Sequence, residues 1–329
     1  MTLRADLSRL IRGQFKEHDI SYPPGMEIES LAARYFEMTV RRIQPTSRRV
    51  HFSGQSHASL SGLSRRGEHS SSARIAWRAV FRLRRRFVDG ENVNAFLSKT
   101  IRNASSWDGL LWQYGMHHFH LGTEASKGGF VNRSDYLLFA IVAPKDVYFV
   151  DVRDHPPRGS VEWVSQELLR IVHSNWPRLL ESHVLRGVDG DELADEELHA
   201  LRHKNLNYAL DIGGRAIAPV FGGLAADGSS VLCTLWARRL LSGLRHHEDA
   251  LRNRMVRASV ERDLRARGSD VGPDFEVELV FLEDLDPTPA LQAALSTETC
   301  VSRHLCQMGL AVVERTTRLP LAIRDTSAA

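Results

Sequence analysis

Residues 135–154, DYLLFAIVAPKDVYFVDVRD, contain two apolar runs that are separated by a Pro-Lys-Asp turn. Both runs are rich in aromatic and β-branched residues, and a three-residue connection is typical of a hairpin. The sequence therefore predicts two antiparallel strands here. A further strand is predicted at MHHFHLG (116–122), because helical spacing gives way to period-two patterning and short apolar runs after Gly115.

Helical and extended patterns are both present in the rest of the chain. Helical spacing is found over 3–18, 28–43, 71–90, 93–103, 106–115, 161–180 and 238–267. Extended patterns are found over 207–212, 216–223, 229–237, 275–285 and 310–325. Together these patterns predict an α+β fold, with a helical, basic N-terminal part followed by a mostly antiparallel sheet with flanking helices.

The length of 329 residues predicts two domains. We expect a helical, basic N-terminal region over 1–106 and an α+β domain over 107–329. Within the first region, residues 53–72 are rich in serine and glycine without periodicity, which favours a flexible loop. No GxGxxG, P-loop or GxSxG context occurs, which argues against dinucleotide enzymes, P-loop NTPases and α/β-hydrolases.

Composition predicts a cytoplasmic protein without a membrane partner. Hydrophobic residues make up 43% and charged residues 25% of the chain. No apolar run approaches the roughly 20 residues that span a bilayer, and the N-terminus lacks an apolar signal core. Five residues, including His304, separate Cys300 from Cys306, which is wider than the usual zinc-ligand spacing. We therefore expect Cys233, Cys300 and Cys306 to be reduced thiols.

The basic charge is concentrated in the N-terminal region. Residues 1–106 hold 19 Lys and Arg against 9 Asp and Glu. Over 71–90, four arginines recur with helical spacing on the face opposite the apolar stripe: Arg74, Arg78, Arg82 and Arg85 (or Arg86). A row of guanidinium groups can bind a phosphate backbone, so these residues are candidate nucleic-acid contacts. The alternative is an exposed helix whose arginines pair with carboxylates elsewhere in the chain.

The three histidines of 116–122 are the candidate functional residues. On a strand, His118 and His120 point to one face, whereas His117, Phe119 and Leu121 point to the other. With His155 as a third ligand, helped by Asp151 or Asp154, the pair would suit a divalent metal such as zinc. The same imidazoles together with Arg133 would suit metal-free RNA cleavage, in which imidazoles transfer protons and an arginine stabilises the charged phosphorane.

The helices, HHFHLG and the stretch NRSDYLLFAIVAPKDVYFVDVRDH (132–155) resemble the central part of the RelE/ParE toxin superfamily over about 40 residues. The resemblance implies helices followed by a curved antiparallel sheet. Arg133 matches the arginine that opens the family's R-x-x-x-LLF strand, and His155 falls where its last strand ends. Ribonucleolytic members use basic and histidine or tyrosine side chains on this sheet to cleave messenger RNA without a metal. The HHxHLG stretch is also similar to stretches in uncharacterised bacterial and mobile-element proteins.

The leading expectation is therefore a cytoplasmic, RNA-cleaving bacterial toxin or phage-defence protein without a cofactor. Its catalytic residues would be His118, His120, Arg133 and His155. Its partners would be nucleic acid, RNA rather than DNA, and an inhibitory protein. Two alternatives stay open: a non-catalytic regulator that binds nucleic acid or protein, and a metal-dependent hydrolase that uses the His118–His120 pair.

Overall fold

The structure, a computed structural model, describes residues 2–123, 128–157, 159–281, 283, 305, 308 and 310–321. Its α-helices are α1 (Leu3–Glu17), α2 (Ile28–Arg41), α3 (Gly54–Arg66), α4 (Ser71–Asp89), α5 (Gly109–Tyr114), α6 (Glu167–Asn175), α7 (Asp195–His203), α8 (Val231–Arg252) and α9 (Arg254–Ala266). Its strands are β1 (Arg49–Phe52), β2 (Met116–His120), β3 (Tyr136–Val142), β4 (Asp146–Asp154), β5 (Leu210–Asp211), β6 (Ala216–Ile217), β7 (Val277–Phe281) and β8 (Leu310–Glu314). Among these helices, none is at once long and apolar enough to cross a membrane.

The main sheet contains the predicted hairpin. Its four strands lie in the order β1-β4-β3-β2, in which β2 and β4 are antiparallel to β3 and β1 is parallel to β4. The β3–β4 turn closes with the Ala143 N–H donating to the Asp146 carbonyl at 2.8 Å. The α+β class with mostly antiparallel pairing is confirmed. The parallel strand β1 was not predicted from the sequence.

Both faces of the main sheet are buried. Phe119, Leu138 and Phe149 form a core with apolar residues of α3 and α4, including Leu83. On the other face, Met116, Leu137 and Phe139 pack with apolar residues of α6 and of the segments around it. A strand covered on both sides has a long apolar run in its sequence, which is the pattern of β3.

The compact units do not follow the predicted division at residue 106. One unit contains residues 36–233, and the other contains residues 2–35 with the described residues from 234 onward. Residues 36–106 belong with the main sheet because β1 pairs with β4, and because α3 and α4 pack on the sheet. In the other unit, β7 pairs with β8, and the N–H of Leu279 donates to the buried carboxylate of Asp6 at 3.3 Å.

The prediction of a flexible loop over 53–72 is wrong. Residues 54–66 form α3, which Ser53 caps by accepting the N–H of Ser56 at 2.8 Å. Leu60 and Leu63 are buried, and the Ser59 hydroxyl donates to Asp151 of β4 at 2.7 Å. Tertiary packing outweighs the weak helix propensity of a serine-rich segment, as is common for short helices in proteins.

The prediction of a strand over 229–237 is also wrong. The apolar run begins α8, and the Ser230 hydroxyl accepts the N–H of Cys233 at 3.3 Å in a cap-like arrangement. The extended patterns at 207–223 are reduced to the two-residue strands β5 and β6. Cys300, His304 and Cys306 lie outside the described residues.

The burial of Leu63 gives a test of α3. Leu63→Ala should lower the free energy of unfolding by about 2–4 kcal/mol, because it removes a buried isobutyl group and leaves a cavity. Urea denaturation measures the change, with the exposed neighbour Ser64→Ala as the matched control. Equal stability of the two variants would contradict the packing of α3 on the sheet.

Candidate functional site

The turn from α5 into β2 fixes the direction of the histidine side chains. Gly115 ends α5 with a positive φ of 68°, and its N–H donates to the Leu111 carbonyl at 2.9 Å. A Cβ at this position would lie 2.8 Å from Cγ1 of Val220, so only glycine fits without movement. From this turn, β2 pairs with β3 so that His118 lies opposite Phe139 and His120 opposite Leu137.

The predicted faces of β2 are confirmed. Phe119 and Leu121 belong to the core under α3 and α4. His118 and His120 alternate with Phe119, so they lie on the other face of the sheet. On this face His120 is only 5% exposed and His118 is half-buried, so the two imidazoles are not fully open to solvent. The second core, around α6, covers this face.

Three imidazoles meet around Trp163, and we call His118, His120, His155 and Trp163 the histidine cluster. The ring centroids of His118 and His120 are 5.9 Å apart, and those of His120 and His155 are 5.4 Å apart and nearly parallel. The indole of Trp163 lies edge-on to His118 at 5.2 Å and to His155 at 5.9 Å. The structure thus brings the third predicted histidine, from the end of β4, to the first two. Trp163 was not predicted as part of the site.

Burial keeps the imidazoles of β2 neutral. It lowers the pKa of His120 to about 3, an effect that His118, His155 and Arg133 reinforce by charge repulsion. Burial also lowers the pKa of His118, against the opposing influence of Asp108. The Nδ1 atoms of His118 and His120 are buried, and no described residue forms a hydrogen bond with them. Neutral imidazoles with such nitrogens can accept a proton or ligate a metal, but they cannot act as acids at neutral pH.

His155 and Arg133 complete the predicted set at the same end of the sheet. Nδ1 of His155 lies 2.9 Å from the carbonyl oxygen of Pro156. Because a carbonyl only accepts hydrogen bonds, Nδ1 carries the proton and Nε2 is left for other partners. Arg133 is exposed, and its charge acts on His120.

The predicted carboxylates do not join the histidine cluster. Asp151 is buried and accepts hydrogen bonds from Ser59 and Arg153, both at 2.7 Å. Asp154 is exposed and lies 4.0 Å from Arg66. Within the described ranges, no group of three or more histidine, cysteine, aspartate or glutamate side chains is arranged to hold a metal ion.

The arginine row lies on the outward side of α4. Arg74, Arg78 and Arg85 are exposed, Arg82 is half-buried, and Arg85 pairs with Asp89 at 3.3 Å. In the described part of the chain, no carboxylate pairs with Arg74, Arg78 or Arg82.

An aromatic pair accompanies the arginines on α4. Phe81 is 40% exposed and follows Arg74 and Arg78 along the same helix face. Its ring centroid lies 4.7 Å from that of Trp77. The aromatic pair was not predicted, although its spacing of four residues is visible in the sequence. Guanidinium groups with exposed aromatic rings are typical of surfaces that bind single-stranded nucleic acid.

The arginine row and the histidine cluster lie on opposite sides of the sheet, but hydrogen bonds connect α4 to the end of β4. The hydroxyl of Ser72, in the first turn of α4, donates to Oδ2 of Asp135 at 2.6 Å. The carbonyl of Asp135 accepts the N–H of His155, also at 2.6 Å. Asp135 therefore links the first turn of α4 to the backbone of His155 at the end of β4.

Comparison with known proteins finds no family model, curated protein or solved structure that matches this chain. The RelE/ParE resemblance thus stays a prediction, and the site is interpreted from its own geometry.

The buried histidines predict that acid destabilises the protein. Burial lowers the pKa of His117 to about 4 and that of His120 to about 3, from 6.5. The unfolded chain therefore binds these protons first as the pH falls below about 6.5, and stability decreases by up to about 1.4 kcal/mol per pH unit for each histidine. The free energy of unfolding should be highest above pH 6.5 and should decrease towards pH 4.

Urea denaturation at several pH values measures this dependence. His120→Gln should make the slope of stability against pH shallower by up to one proton, because glutamine does not titrate. His69→Gln, at an exposed position, should leave the slope unchanged. A slope that His120→Gln leaves unaltered would show that His120 is not held neutral by burial.

Proposed function

We propose that the protein is an endoribonuclease that uses the histidine cluster and Arg133 to cleave RNA without a metal. The observation that supports the proposal most directly is the meeting of three imidazoles and one arginine at one end of the sheet, although they are distant in sequence. These groups are the ones that cleavage through the 2′-hydroxyl needs: a base, an acid and a cation for the phosphorane.

The electrostatics favour a division of roles among the imidazoles. His118, neutral and half-buried, is the base that removes the 2′-hydroxyl proton. The resulting 2′-oxygen attacks the phosphorus, and the 5′-oxygen bond breaks. His155, through Nε2 in its protonated form, donates the proton that the leaving 5′-oxygen takes up. Arg133 stabilises the dianionic phosphorane, and His120, deeper in the cluster, positions the other two rings.

RNA is the proposed substrate because the reaction requires a 2′-hydroxyl. The arginine row of α4, with Phe81 and Trp77, would hold the phosphates and bases of a single strand whose next nucleotides reach the histidine cluster. The RelE/ParE resemblance favours a bacterial toxin or phage-defence role, in which an inhibitory protein covers the site.

The cleavage proposal predicts a loss of activity without a loss of fold. His118→Gln and His155→Gln should each lower the rate of RNA cleavage by at least about 100-fold, because each removes a proton-transfer group. Cleavage of labelled single-stranded RNA is followed on gels, and circular dichroism checks the fold. The exposed His69→Gln should cleave at the wild-type rate.

Two further measurements test the 2′-hydroxyl mechanism and the independence from metal. The same strand with 2′-deoxy nucleotides should resist cleavage, and EDTA should leave the rate unchanged. Cleavage of the deoxy strand would exclude the 2′-hydroxyl mechanism. Abolition of cleavage by EDTA, with stoichiometric metal in the protein, would instead support the metal-dependent hydrolase that uses His118, His120 and His155.

The arginine row predicts salt-dependent binding. Replacing Arg74, Arg78 and Arg85 together with glutamine should weaken RNA binding and reduce the slope of log affinity against log salt by about 0.7 for each phosphate that is no longer neutralised. Fluorescence anisotropy with labelled single-stranded RNA measures both quantities. Arg178→Gln, an exposed arginine of the same unit, serves as the control. Equal slopes for the wild type and both variants would exclude α4 as the binding surface.

A non-catalytic nucleic-acid-binding regulator is the second candidate. The arginines and aromatic rings of α4 favour it, because they form a binding surface that needs no chemistry. It predicts the same salt dependence with no cleavage product.

A further inference from the structure

A cavity of about 500 Å³ lies beside α7, within the unit formed by residues 36–233. This volume is in the range of small-molecule binding sites. Its wall contains two indoles, two imidazoles, one guanidinium group and one carboxylate: Trp107, Trp163, His199, His203, Arg202 and Asp227. No function was predicted from the sequence for this group of residues.

Arg202 places a buried positive charge at the cavity. It is 3% exposed, and its Nε donates to Gln113 while its Nη1 donates to the carbonyl of Trp163 at 2.7 Å. Its Nη2 is buried, and no described residue supplies an acceptor for it. No carboxylate of the described residues forms an ion pair with it. A buried charge without a counterion is destabilising, so an anion bound beside Arg202 would be stabilising.

His199 and His203 add two ring nitrogens on the same helix. They are one turn apart on α7, and their Nε2 atoms are 3.3 Å from each other. A tetrahedral anion accepts hydrogen bonds from several directions at once, and phosphate is commonly bound by such converging donors. With Arg202, the pair supplies three nitrogen-bearing side chains from one stretch of nine residues.

The remaining wall suits a nucleoside. Trp107 is 42% exposed, and its ring centroid lies 6.4 Å from that of His203. An exposed indole offers a surface on which a base can stack. Asp227 accepts hydrogen bonds from the N–H of Ser229 at 3.0 Å and from its hydroxyl at 2.6 Å, which holds the carboxylate in place. Carboxylates of this kind accept hydrogen bonds from ribose hydroxyls or amino groups of a base.

We propose that this cavity binds a nucleoside monophosphate, with the phosphate at Arg202, His199 and His203 and the base against Trp107. The same chemistry occurs in a free mononucleotide and in the phosphorylated end of an RNA strand. The residues of the cavity alone support this proposal. It goes beyond the proposed cleavage reaction, which is assigned to the histidine cluster on the other side of Trp163.

Isothermal titration calorimetry tests the proposal with ribonucleoside 5′- and 3′-monophosphates, unphosphorylated nucleosides and inorganic phosphate. The monophosphates should bind with a Kd of about 1 mM or tighter, and nucleosides and phosphate should each bind at least about tenfold more weakly. Short RNA strands with and without a terminal phosphate form a second set of probes. Preference for phosphorylated strands over free monophosphates would identify the RNA end as the source of the ligand.

Two variants locate the binding. His203→Ala and Trp107→Leu should each weaken monophosphate binding by at least about tenfold, whereas the exposed His69→Ala should not change it. Arg202 is not substituted, because its removal would also break the hydrogen bonds that it donates to Gln113 and to the Trp163 carbonyl. The absence of monophosphate binding to wild type, equal affinity for phosphate alone, or unaltered binding in the folded variants would overturn the proposal.

His118→Gln separates this proposal from the cleavage reaction. The variant should keep monophosphate binding while it loses RNA cleavage. If the wild-type protein binds monophosphates but cleaves no RNA, the proposed binding site is supported and the proposed endoribonuclease activity is excluded. If it cleaves RNA but binds no monophosphate, the proposed endoribonuclease activity is supported and the proposed binding site is excluded.

Discussion

The candidate site depends on one constraint, which is that β2 is buried on both of its faces. In a strand of this kind, alternate residues enter two different cores. Phe119 belongs to one core, so its neighbours His118 and His120 must enter the other. Polar rings in such a place lose their hydration, and this loss is the physical cause of their lowered pKa values. The chemistry available to the site therefore follows from the packing of the sheet.

Sheet topology explains how residues distant in sequence come together. In an antiparallel arrangement, the end of β2, the start of β3 and the end of β4 lie at one end of the sheet. His120, Arg133 and His155 occupy or adjoin these three positions. Asp135 connects this end to the first turn of α4 through Ser72. The arginine row of α4 and the histidine cluster on the opposite face of the sheet thus belong to the same unit.

Local patterns predicted the parts of the fold that local forces determine. The hairpin, the helix with the arginine row and the alternation of the histidines each follow from periodicity and turn residues within about 20 positions. The sequence was less informative about α3, where buried Leu60 and Leu63 stand among serines and glycines, because this helix is stabilised by contacts with β4. The apolar start of α8 is equally compatible with a strand.

The structure brings His118, His120 and His155 together, but the residues that surround them could not be derived from the sequence. Arg133 and His155 could be placed near His120 because strand ends define positions. Trp163, by contrast, lies in a short turn of 3₁₀ helix after β4, and nothing in its local pattern indicates which side chains it contacts. The same is true of the cavity at α7, which is formed by side chains from widely separated segments.

Trp163 belongs to both the histidine cluster and the wall of the cavity at α7. One edge contacts the rings of His118 and His155, and the residue also lines the cavity that contains Arg202. Its carbonyl accepts from Arg202, and its indole N–H donates to the carbonyl of Pro157 at 3.0 Å. A smaller side chain at this position would remove these ring contacts and widen the cavity at the same time. A substitution of Trp163 would therefore affect the histidine cluster and the cavity together, whereas a substitution of Trp107, at the rim, would affect the cavity alone.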